Sequence, residues 1–149
     1  ELVIAGQVAV GELAPDFELD SSLGRPVRLS SLRGDWVLLV FAERKESLRA
    51  LADTLGDLHT IGVRLVGVCD EKPRTIESFA AKQHASFLLL ADVTGEVSAL
   101  YGVWDRIHTM SVPGFVLIDR HGRVHIALLG QVLPAADLAR LVREVSGQL

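Results

Sequence analysis

The order of apolar and polar positions divides this chain into strands and helices with little ambiguity at its centre. Trp36-Val-Leu-Leu-Val-Phe41 is an unbroken apolar run rich in Val and Leu, the pattern of a parallel strand covered on both faces. The period then changes to three and four. Leu48, Leu51, Ala52, Leu55 and Leu58 form the stripe of a helix laid on the sheet, ended by Gly62. Val63 to Cys69 is a second long strand and Phe87 to Leu90 a short buried one. Thr75 is a cap for a helix carrying Ile76, Phe79 and Ala80, and Val97, Leu100 and Tyr101 mark another that stops at Gly102. Phe115–Asp119 and Arg123–Leu129 are strands joined by a tight turn at 120–122, and Pro134 opens a last helix with Leu138, Leu141, Val142 and Val145 inward.

Towards the start, Asp16–Leu19 and Val27–Leu29 alternate around the turn-rich Ser21–Gly24, which predicts a hairpin, and 30–34 make a short turn into the central strand. Residues 1–12 read as an N-terminal arm or an added edge strand. Residues 103–112 show no clear pattern. Strands alternating with helices, closed by a hairpin and a helix, predict one α/β domain over 1–149 with a mixed sheet flanked by helices. No repeat or linker interrupts it.

Composition narrows the function. Of the 149 residues 49% are hydrophobic but only 5% aromatic, so Leu, Val, Ala and Ile must build the core. The net charge of −4 and the absence of a basic run argue against a nucleic-acid partner. Leu2 to Val10 is far shorter than a spanning helix, which needs about 20 apolar residues, and it follows Glu1 where a signal peptide has basic residues. A cytoplasmic, non-membrane protein is expected, although a chain without an initiating Met leaves a trimmed export signal open. The single cysteine, Cys69, excludes a disulfide within the chain and any paired-thiol motif, and suits a reducing compartment.

The first strand–loop–helix corner, 41–50, is where open α/β sheets place their chemistry, because helix N–H groups and the helix dipole favour a thiolate or other anion. Around it stand Pro15-Asp-Phe17, the Arg25–Ser31 stretch, Val66-Gly-Val-Cys-Asp70, Phe87-Leu-Leu-Leu-Ala-Asp92, Tyr101-Gly-Val103 and Val116-Leu-Ile-Asp-Arg-His-Gly122. In this order they resemble the peroxiredoxins, the alkyl hydroperoxide reductase/thiol-specific antioxidant family, over residues 11 to 130. The resemblance implies a thioredoxin-like fold, thiol-dependent peroxide reduction without a cofactor, and homodimerisation through sheet edges or active-corner loops. It also implies a Pro-x-x-x-Thr-x-x-Cys motif, whose places fall here on Glu43, Ser47 and Ala50. An arginine that assists the thiolate in that family falls on Pro113. The hydroxyl survives as Ser47; the proline, the nucleophile and the arginine do not. The chain therefore resembles a peroxiredoxin with a degenerate site, acting by binding to itself or to a protein or small-molecule partner.

Other readings stay open beside it. Cys69, at the end of the second long strand, is either a small hydrophobe of the core or the thiol of an atypical oxidoreductase or redox sensor; Asp70 and Glu71 beside it disfavour a thiolate. Ser47 is equally a helix-terminal cap. Arg44, Lys45 and Arg49 could hold an anion, and His108 and Met110 with Cys69 a soft metal, though His59, His84, His108, His121 and His125 show no metal-ligand spacing. Pro113 lies six residues before Asp119, the offset of the cis proline in thioredoxins with a thiol motif, so both isomers of the Val112–Pro113 bond are open. No phosphate-binding glycine loop and no nucleophile-elbow serine are present.

Overall fold

The computed structural model describes residues 8–42, 45–83, 87–105, 110–130 and 134–147. Among these, the strands are β1 (Glu18–Ser21), β2 (Pro26–Arg28), β3 (Trp36–Ala42), β4 (Val63–Cys69), β5 (Leu88–Ala91), β6 (Trp104–Asp105), β7 (Met110–Ser111), β8 (Gly114–Ile118) and β9 (Val124–Leu129). The helices are α1 (Lys45–Leu55), α2 (Pro73–Gln83), α3 (Glu96–Leu100) and α4 (Ala135–Ser146).

Seven strands form one sheet in the order β2-β1-β5-β4-β3-β8-β9. β3, β4 and β5 run parallel, and β1, β2, β8 and β9 extend the sheet antiparallel at its two sides. The pleat divides β3 between two cores. Trp36, Leu38, Val40 and Ala42 face α1, α2 and α4, packing with Leu48, Leu55, Ile76, Leu138 and Val142. Val37, Leu39 and Phe41 face α3 and the early hairpin, packing with Phe17, Leu32, Val97 and Tyr101. All seven residues of the strand are buried, as an unbroken apolar run requires.

One glycine fixes how closely α1 lies on the sheet. A Cβ at Gly67 of β4 would stand 2.6 Å from the Leu48 Cδ1 and 3.1 Å from the Leu89 Cδ2, so only a bare backbone fits beneath the helix.

Several local expectations shift. The stripe through Leu58 is not one helix: α1 stops at Leu55 and the chain continues as a 3-10 turn, Gly56–Ile61, which still buries Leu58 and ends at left-handed Gly62. Thr75 is not the cap of α2. The N–H groups of Thr75 and Ile76 donate to the Lys72 carbonyl, so the helix starts at Pro73, whose fixed φ and missing N–H suit the first turn. Pro134 stands one residue outside α4. The patternless 103–112 contain the short β6–β7 pair. Residues 1–7, most of the stretch read as an arm or edge strand, lie outside the described residues; further on, Gly11 donates to Val124, Val124 to Glu12 and Ala14 to Gly122, with Leu13 bridging Arg123.

Candidate functional site

The carboxyl edge of the parallel strands is built from residues in register. Ala42 stands opposite Cys69, and Cys69 opposite Ala91. Phe41 stands opposite Gly114, which places Pro113 one step further, level with Ala42. The corner expected at 41–50 therefore gathers the ends of β3, β4 and β5, the approach to β8, and the first turn of α1. Glu43 and Arg44 lie outside the described residues, as do His84 and His108.

Within this corner the residues differ sharply in access. Ser47, in the first turn of α1, is exposed, and so is Arg49. Ala50 follows on the same helix. Cys69 is 0% exposed, and its sulfur is 4.0 Å from the Leu90 carbonyl oxygen. It belongs to the core layer of Ala42, Leu48, Ile76 and Phe79, beneath α1 and α2. A reagent in solvent cannot reach the sulfur without parting those helices. Pro113 is half-buried, the bond before it is trans, and its carbonyl accepts the Gly130 N–H at 2.8 Å. Of the two isomers left open for Val112–Pro113, the trans one is found.

The edge is held by polar groups that the apolar pattern did not single out. Asp92, just beyond β5, is 1% exposed and accepts the N–H groups of Val97 and Ser98, anchoring α3. Tyr101 on the same core face donates its hydroxyl to the Pro15 carbonyl at 2.6 Å and stacks edge-on to Phe17. Burial, with the Asp16 charge adding to it, holds this phenol far above the ordinary tyrosine range, so it is a permanent donor. Asp16 accepts from the Phe17 and Ser30 N–H groups and approaches Arg28 at 3.4 Å.

At the other pole, Asp119 accepts N–H groups of His121 and Arg123 and the His125 Nε2–H at 2.8 Å. The His125 ring lies 5.0 Å from Trp36. The spacing of His121 and His125 is thus used for a turn and a carboxylate contact. Among the described residues no three of His, Cys, Asp and Glu converge as a metal site would require. No described helix is long and apolar enough to cross a membrane.

This sheet, with helices on both faces and its corner at the end of the central strand, is the thioredoxin-like fold in the form used by thiol peroxidases. Residues 10–127 match the AhpC/TSA family, and the chain belongs to that family. It is 30% identical over 130 residues to Peroxiredoxin Bcp of Escherichia coli K12, spanning 76% of this chain and 81% of that one. Peroxidoxin BcpB of Mycobacterium tuberculosis superposes with a TM-score of 0.77 at 25% identity, over 93% of this chain and 97% of the other. The PrxQ C47S mutant of Xylella fastidiosa shares the fold, with a TM-score of 0.80 at 18% identity over 95% and 99%.

Proposed function

We propose that this peroxiredoxin family member has lost peroxide turnover and acts by binding. The observation that carries the reading is the placement of its only thiol. Cys69 has no accessible surface, while the family's nucleophile place is held by Ala50, whose methyl group cannot attack an oxygen. Glu43 and Pro113 take the places of the loop proline and the arginine, so three of the four motif positions lack the group that peroxide chemistry uses. Ser47, alone retained, is the third residue of α1 and so lies inside the helix, not at the N-cap place expected for it.

Binding to a second copy is the first expectation. β9 is the outermost strand on its side, residues 11–14 pair with its beginning, and among the described residues no other strand pairs with the edge beyond. A cytoplasmic setting agrees with a chain that uses no internal disulfide.

The test is mass spectrometry of the native protein after excess hydrogen peroxide, with adducts mapped by digestion. The proposal expects Cys69 to remain a thiol. A sulfenic acid or an intermolecular disulfide at Cys69 would instead favour an atypical thiol oxidoreductase.

A further inference from the structure

The amino ends of the parallel strands, the pole opposite the family's reactive corner, carry an open groove of about 490 Å³. That volume lies within the range of small-molecule sites, about 300–1,000 Å³. Leu88 and Leu23, the latter exposed at the β1–β2 turn, line it, and Leu65 and Phe87, which pack on the opposite face of the sheet from Leu88, line it at the strand ends. Asp35 and Arg64 stand together on its rim. They occupy neighbouring strand starts, because Trp36 pairs with Val63 and Val37 with Arg64.

The charges, not the apolar lining, identify the occupant. Arg64 Nη2 and Asp35 Oδ2 are 3.7 Å apart, beyond hydrogen-bond length, and their side chains are 50% and 53% exposed. Such a surface pair contributes little to stability, about 0–1 kcal/mol. A simple anion would meet Arg64 but be opposed by Asp35, and a simple cation would meet the reverse. A molecule bearing both charges side by side satisfies both. We propose that this groove binds a zwitterionic α-amino acid with a large apolar side chain. Its carboxylate takes the Arg64 guanidinium, its ammonium donates to Asp35, and its side chain covers Leu88 and Leu23. The site is independent of whether the distant corner reduces peroxide.

Calorimetric titration of the native protein tests this with L-phenylalanine, L-phenylalaninamide (no carboxylate), N-acetyl-L-phenylalanine (no ammonium) and glycine (no apolar side chain). Phenylalanine should bind saturably, and each analogue about tenfold more weakly or worse. Arg64→Gln should weaken phenylalanine and make it bind no better than its amide. Asp35→Asn should likewise make it bind no better than the N-acetyl form. Both positions are on the surface, and circular dichroism checks that each variant keeps the wild-type fold. Absence of saturable binding, equal binding of all four probes, or a preference unchanged in both variants would overturn the assignment.

Discussion

The sulfur of Cys69 lies 4.0 Å from the carbonyl oxygen of Leu90 on the next strand, sealed from solvent at the edge where this family carries out its chemistry. Native Cys69 should therefore react slowly with a thiol reagent near neutral pH and quickly once the chain is unfolded in urea. Its labelling then follows the opening of α1 and α2 over the sheet. Native labelling as fast as that of the unfolded chain would refute the core placement.

Gly67 and Leu48 set the spacing of α1 over β4. Gly67→Ala forces a methyl group to within 2.6 Å of the Leu48 Cδ1 unless the helix or the leucine moves. Overpacking of this kind costs about 1–3 kcal/mol. Urea unfolding should show a loss in that range, and Leu48→Ala in the same background should show a smaller penalty for the added methyl than Leu48 does.

Asp119 makes the β8–β9 turn dependent on pH. Burial alone would raise its pKa, but the Arg123 N–H, His125 and the His121 N–H together bring it below the unfolded value of 3.8. The carboxylate's contribution is thus complete above that value and lost as pH falls through the lower, folded one. Asp119→Ala should cost about 2 kcal/mol near neutral pH by removing the acceptor of three donors. The difference between variant and wild type should shrink when unfolding is repeated at strongly acidic pH. An undiminished difference there would contradict the carboxylate's role.

What was legible in the sequence depends on the kind of interaction that decides each part of the fold. β3, β4, α2 and α4 were legible because burial imposes a period on apolar side chains, and Leu39, Val66 and Leu138 sit where that period puts them. The division of α1 from the 3-10 turn was not legible, because Leu58 is buried in either geometry. Neither was the hairpin of Trp104–Asp105 with Met110–Ser111, two residues per strand being too short to show alternation. At the candidate site, counting from Phe41 assigns Ser47, Ala50 and Pro113 to motif places on resemblance alone. The seals were not legible: Asp92 on α3, Tyr101 on Pro15 and Asp119 on His125 join residues through polar contacts that leave no periodic trace.

A second copy should be found in solution. Light scattering at high micromolar concentration should give the mass of a dimer, and Ala127→Pro, in β9, should return it to the monomer. A monomeric wild-type protein at that concentration would end this expectation.

Placing a thiol at the position proposed for the nucleophile should not by itself give peroxide reduction. Ala50→Cys puts a thiol at the sixth residue of α1, in its second turn and not in the first turn expected, past the terminal N–H groups that lower a cysteine pKa; it should still alkylate faster than the buried Cys69. Peroxide cleavage also requires donors for the departing oxygen, and removing one such donor typically costs about 10²–10³ in rate. With Pro113 at the arginine's place, the variant should react with hydrogen peroxide no faster than a small thiol of matched pKa.

The central claim, that the wild-type chain does not turn over peroxide, is tested most directly by the steady-state consumption of hydrogen peroxide with dithiothreitol as reductant. The account predicts a rate equal to that of dithiothreitol alone, at every protein concentration and unchanged in Cys69→Ala. A rate that rises in proportion to wild-type protein and disappears in Cys69→Ala would contradict it.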